Sequence, residues 1–416
     1  MRQLLLIWML TVFADVYGAT SADSLRHVGW TFMAGPAWQI AMDEYEQKWL
    51  HGKRAFSIGG EINYSALPND SDAFAQDYGY PTLSVGAKLS LNNGVTMRRV
   101  ADEAWGKAQM VDYDSHLGDI LSVYGAFARP LLRSGRWRID YVLRAGIGYG
   151  PHKYNTHNNI DNELIGSRFT IYMGGGVVAS WLFADEWSIK AGLLYGHHSN
   201  GALNRPNKGE NHVGPMVGLS YTPYERVLRK QVQADTQPFH RYWYGNVRLG
   251  FGGKTLLEDW HLTQFGTEPG APRYRTDKFC LYAAYSAQMD LMYRYARRWA
   301  SGIGVDVFYG TYYKRVRALD EAAGNNVSHS PWSVGIAARH EAYYHRLSVD
   351  MAVGLYLFRQ MGYNAKEIEK PYYERIGLFY TFPKMNHIKL GCSVKAHLTK
   401  ADYTELIVSV PFRIGR

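Results

Sequence analysis

Apolar and polar residues alternate with a period of two along almost the whole chain, and past the first residues no long segment carries apolar residues at helical spacing. This constraint selects strands, because side chains on a pleated strand point alternately to its two faces. Ile139, Tyr141, Leu143, Ala145, Ile147 and Tyr149 share one face, with Arg138, Asp140, Arg144, Gly146 and Gly148 on the other. Likewise Leu347, Val349, Met351, Val353, Leu355 and Leu357 separate from Ser348, Asp350, Ala352 and Gly354. Aromatic residues at 14% and a charged fraction of only 20% suit half-buried pleated surface. A mean hydropathy of -0.30 argues against a helical membrane bundle, whose spans each need roughly 20 consecutive apolar residues. A membrane barrel escapes that requirement, since only every second residue faces lipid.

The reading is therefore all-β: a transmembrane antiparallel β-barrel of about sixteen strands, the first starting near residue 27 and the last near residue 404. Connections after even-numbered strands are mostly short, as at Ser134-Gly135 and His345-Arg346, and those after odd-numbered strands mostly long and polar. Short periplasmic turns and longer external loops produce this asymmetry. One closed barrel over residues 21–416 is expected, because an open edge in hydrocarbon strands unpaired backbone groups. The alternative is an eight-stranded barrel followed by a second β unit, divided at the polar stretch Glu225 to Phe239. Ahead of the strands, Arg2, the apolar run Leu4 to Phe13 and small residues around Gly18, Ala19 and Ala22 have the layout of a signal peptide over residues 1 to about 20. An exported chain with a formal charge of +9 suits an anionic lipid partner and makes nucleic acid an unexpected one. Cys280 and Cys392 stand far apart in apolar stretches and read as wall residues.

Chemistry concentrates in Tyr195-Gly-His-His-Ser-Asn-Gly201 and Pro206-Asn-Lys-Gly-Glu-Asn211, at the hairpin of the seventh and eighth strands. Trp187, Ile189, Ala191, Leu193 and Tyr195 form the apolar face of the seventh strand, so continued alternation puts His197 and Ser199 on that face and His198 inside. In the eighth strand Asn211 falls on the outer face with Val213 and Pro215, whereas Glu210 and His212 point inward. Residues two apart on a strand lie about 6.6 Å apart, within reach of an imidazole and a hydroxyl. His197 is thus a candidate base for Ser199, and Asn211 a candidate third group to orient it across the hairpin. Such polar residues are tolerated at a membrane rim, after several apolar positions, where they meet headgroups and ester linkages. Backbone N–H groups at Asn200 and Gly201 are candidates for an oxyanion site. Arg205 and Lys208 are candidates to contact substrate phosphates. His197 and His198 point to opposite faces, which argues against a metal pair.

This segment resembles the outer-membrane lipid A deacylases, the acyloxyacyl hydrolase family, whose motif is His-x-Ser-Asn, then a Pro-Asn-x-Gly turn and an acidic third member. The matching residues are His197, Ser199, Asn200, Pro206, Asn207 and Gly209, over roughly residues 26–224, with the strands of 240–416 additional to the compact family form. The resemblance implies a serine esterase of the cell outer membrane that removes an ester-linked, 3-position acyl chain from the lipid A of lipopolysaccharide. It implies Ser199 as nucleophile and His197 as general base, with no cofactor. The position matching the family's acid is Asn211; a local bulge that turned Glu210 outward would supply a carboxylate instead. The competing reading is a non-catalytic porin or transport barrel, suggested by the strand number and by inward charges such as Arg144, Asp306 and Asp350.

Overall fold

The computed structural model describes residues 27–230, 238–398 and 400–414; the segment read as a signal peptide lies outside them. Sixteen long antiparallel strands dominate, starting within a few residues of the positions that the alternation marks. The first eight are β1 (Val28–Gln39), β2 (Arg54–Ser65), β3 (Thr82–Gly94), β4 (Ile120–Ser134), β5 (Trp137–Tyr149), β6 (Phe169–Leu182), β7 (Trp187–Ser199) and β8 (Glu210–Tyr221). They are followed by β9 (Tyr242–Lys254), β10 (Tyr282–Ala296), β11 (Trp299–Gly310), β12 (His329–Tyr344), β13 (Leu347–Met361), β14 (Tyr372–Phe382), β15 (Ile388–His397) and β16 (Lys400–Ile414).

The strands do not close as a single ring. β1–β8 form one closed up-and-down barrel and β9–β16 a second, which is the eight-plus-second-unit alternative. β8 returns to pair with β1 from Trp30↔Tyr221 to Gln39↔His212, and β16 pairs with β9 from Trp243↔Ile414 to Gly253↔Thr404. Alternation along a strand fixes its faces but is silent about which distant strand it pairs with, so closure was beyond its reach. The interior charges supply the physical reason for the smaller rings. Eight strands enclose a space that side chains just fill, whereas sixteen leave an aqueous channel.

Both interiors are filled in this way. In the first barrel Arg144 pairs with Glu61 at 2.6 Å, Tyr124 Oη donates to the same carboxylate at 3.0 Å, and Arg138 pairs with Asp140 at 2.8 Å. In the second, Arg248 bridges Asp290 at 3.1 Å and Asp350 at 2.7 Å, Arg339 joins Asp290 and Asp306, and Arg375 pairs with Glu405. Such pairs persist in a low-dielectric interior because removing one partner leaves an uncompensated charge.

The outward faces are apolar and end in aromatic belts. Trp30, Trp187 and Tyr221 cluster at the short-turn end of the first barrel, with Tyr149 against Phe169 at the other end. In the second barrel Trp243 packs on Tyr293 at one end, while Phe251 on Tyr285 and Tyr309 on Trp332 mark the opposite end. An apolar band between two girdles is the pattern of a membrane-spanning wall. Cys392 lies on that wall in β15, whereas Cys280 precedes β10 in a loop; both are free thiols.

These packed interiors predict that the purified protein produces no stepwise conductance in a planar lipid bilayer. Discrete porin-sized steps would contradict the side-chain packing described above.

Candidate functional site

In the first barrel the connections at residues 40–53, 95–119, 150–168 and 200–209 gather at one end, and the last of these joins β7 to β8. The register of that hairpin is unbroken, with Tyr195↔Val213, His197↔Asn211 and His198↔Glu210 opposed. No bulge interrupts it, so parity holds to the tip of the strand. His197 and Ser199 share the outer face with the exposed Ile189, Leu193 and Tyr195, while His198 is fully buried inside.

On the outer face His197 Nδ1–H donates to Asn211 Oδ1 at 2.8 Å. The same oxygen accepts from Tyr195 Oη at 2.6 Å, and Asn211 Nδ2 donates to the Gly209 carbonyl at 3.2 Å. An imidazole that donates from Nδ1 keeps its proton there and leaves Nε2 as the basic nitrogen. Gly209 has φ +87°, and a Cβ there would stand 2.7 Å from His197 Cε1. Glycine is therefore required both by backbone conformation and by the approach of the histidine ring.

On the inner face Glu210 is occupied elsewhere. His198 Nδ1–H donates to it at 2.5 Å and His212 Nδ1–H at 2.6 Å; Ser122 Oγ–H donates to His198 Nε2 at 2.8 Å, and Lys88 Nζ to His212 Nε2 at 2.7 Å. Glu210 does not turn outward, and the carboxylate alternative for the third member is not realised. The ligand atoms of His198, Glu210 and His212 lie within 4.8 Å of one another, a spacing that suits a cation. The Lys88 ammonium nevertheless already meets His212 Nε2, and a ring carrying metal at Nδ1 and a proton at Nε2 would oppose it.

The other sequence-based candidates are placed unevenly. The Asn200 N–H donates to Asn207 Oδ1 at 2.8 Å, so it is engaged with the Pro-Asn-x-Gly turn. Gly201 has φ +60° and its carbonyl accepts from Thr404 Oγ1. Arg205 is buried, with Nη2 bonded to the Thr255 carbonyl at 2.8 Å, which removes it from substrate phosphates. Lys208 pairs with Asp43 and lies 5.0 Å from the Tyr45 ring centre, with its side chain 25% exposed.

Sequence reading missed the support beneath this hairpin. The Lys208 and Gly209 N–H groups donate to the carbonyls of Glu163 and Leu164 at 3.1 and 3.0 Å. The acidic segment that provides them is anchored on buried Arg99, whose Nη1 meets Asp161 at 2.6 Å and whose Nη2 meets Glu163. Arg275 Nη2 adds a bond to Asp161 at 2.7 Å, and Tyr45 Oη one to Glu163 at 2.7 Å. Burial pushes the Tyr45 phenol up to about 12, which keeps it a donor. Burial also raises the Asp161 carboxyl, but the charge and backbone N–H of Arg99, with Arg275, outweigh it and hold the group below its ordinary value. No local pattern marks these residues, because they converge from four separate loops.

Fold and site together define a membrane-type β-barrel with a serine, a histidine and an asparagine hydrogen-bonded to that histidine on its outward wall. The family model for lipid A 3-O-deacylase (PagL) matches residues 99–220, and that for the acyloxyacyl hydrolase C-terminal domain matches residues 246–415. The chain belongs to the lipid A 3-O-deacylase, or acyloxyacyl hydrolase, family. The strands of 240–416, expected as an addition to the family form, thus fall largely within its C-terminal domain. A comparison with curated proteins gives no match. Among solved structures, engineered variants of the porin of Rhodopseudomonas blastica align at 8–9% identity, covering 92% of this chain and 99% of theirs. Their TM-score is 0.16, and the likeness carries no argument.

Replacing Arg99 by Met leaves buried Glu163 without its guanidinium partner and Asp161 with Arg275 alone, and is expected to destabilise the first barrel by about 3–5 kcal/mol in urea unfolding. A folded carboxyl held low contributes stability that is complete above its unfolded pKa and lost as pH falls through the folded one. Thermal stability of the native protein should therefore be level from pH 7 to about 5 and fall below about pH 4, with a smaller acid-dependent fall in R99M.

Proposed function

We propose that the protein is an outer-membrane serine esterase that hydrolyses the ester-linked acyl chain at the 3-position of lipid A in lipopolysaccharide. The observation that carries this reading is the bond from His197 Nδ1 to Asn211 Oδ1 on the outward face that also bears Ser199. It leaves His197 Nε2 as the base, two residues from Ser199 on the same face at the end of an apolar wall. Ester linkages and headgroups of a glycolipid lie at that depth in a bilayer.

In the first step Ser199 Oγ attacks the acyl carbonyl while His197 Nε2 takes its proton; the proton then passes to the departing sugar hydroxyl. Water, deprotonated by the same nitrogen, cleaves the acyl-enzyme and restores Ser199. An asparagine orients the imidazole without countering its transient positive charge, so a modest turnover is expected. Gly201, with the N–H of Asn200 once released from Asn207, is the proposed oxyanion site. Lys208 is the remaining cation at the hairpin for a lipid A phosphate.

Purified wild-type protein incubated with lipid A in detergent should release one 3-linked acyl chain, seen by mass spectrometry as a single chain loss. Ser199→Ala should lower that release by about 10³-fold or more while the barrel stays folded. Intact lipid A after incubation with wild type, or equal release by the variant, would overturn the reading.

A further inference from the structure

We propose that Tyr195 is a positioning residue, which holds the carboxamide of Asn211 in the one orientation that lets His197 serve as a base; this rests on the esterase reading above. A carboxylate presents an acceptor oxygen to the imidazole whichever way it turns. A carboxamide does not, because one side accepts and the other donates. If Asn211 were reversed, its amino group would face His197 Nδ1. That nitrogen would then have to accept, the proton would move to Nε2, and the atom required to deprotonate Ser199 would be blocked.

Two groups besides the histidine act on this amide. The Gly209 carbonyl can only accept, so it draws Nδ2, over a 3.2 Å bond. The Tyr195 hydroxyl donates to Oδ1 at 2.6 Å, the shorter contact, and leaves the second lone pair for His197 at 2.8 Å. Reversal would break the first bond and require the phenol to become an acceptor. Asn211 is 3% exposed, so solvent is not at hand to replace either partner. Tyr195 reaches the amide because it stands two residues before His197 on the same face, diagonal to Asn211 across the hairpin. A tyrosine on this wall thus has a task beyond filling an aromatic belt, and only an asparagine-containing site sets it.

The test is a cycle of four purified proteins: wild type, Tyr195→Phe, Asn211→Asp and the double variant. With Asn211 in place, Y195F should lower kcat for lipid A deacylation about 3- to 10-fold, the worth of one neutral hydrogen bond, with KM unchanged. In the N211D background, where no orientation needs fixing, Y195F should change kcat by less than about 2-fold. Equal losses in both backgrounds would make Tyr195 merely structural and overturn the proposal. A second readout is independent of turnover: the ¹⁵N shifts of the His197 ring in detergent micelles, which report the nitrogen that carries the proton. Wild type should carry its proton on Nδ1 and Y195F should show a mixture of tautomers; identical tautomers in the two proteins would also overturn it. Wild type that shows these tautomers but releases no acyl chain would end the esterase reading and leave the orientation account standing.

Discussion

A strand within hydrocarbon must pair every backbone N–H and C=O with another strand, and the architecture follows from that requirement. Closure satisfies it by removing edges, and closure at eight strands sets an interior that side chains can fill. Each strand then has a charged, densely bonded inner face and a lipid-facing apolar one. The ion pairs of Arg248, Arg339 and Arg375 in the second barrel and of Arg144 in the first belong to the inner face. They need a tight ring as much as the ring needs them.

The same two-sidedness divides the chemistry of one hairpin. His197 and His198 are chain neighbours with opposite fates. One faces outward onto Asn211, and the other is sealed into a relay running from Lys88 through His212 and Glu210 to Ser122. The inner relay locks the register of β7 on β8 from within, and the register in turn sets His197 opposite Asn211. Support from the loop side is separate: Arg99 holds Asp161 and Glu163, whose neighbouring carbonyls hold Lys208 and Gly209. Gly209, left without a side chain, lets the His197 ring lie against the turn.

Much of this was legible in the residues alone. The strand starts, the outward parity of His197, Ser199 and Asn211, and the inward parity of Glu210 all follow from a period of two. Closure was not legible, because pairing between β8 and β1 spans the whole first half of the chain and leaves no local trace. Arg205 misled for a related reason: a loop arginine reads as an exposed cation until the carbonyl of Thr255 is seen to bury it. Tyr195 was visible only as an apolar wall residue, since alternation reports which way a side chain points and not what its hydroxyl meets. The Arg99 anchor combines loops at 99, 161–163 and 275, a convergence that no short motif encodes.

The central claim is that an activated serine stands on the outer wall of the first barrel, at its rim. Its most direct test is to treat the detergent-solubilised protein with a long-chain fluorophosphonate and map the adduct by peptide mass spectrometry. The account predicts a single adduct on Ser199 that disappears when His197 is replaced by Ala. An unmodified Ser199, or labelling that ignores the histidine, would contradict it.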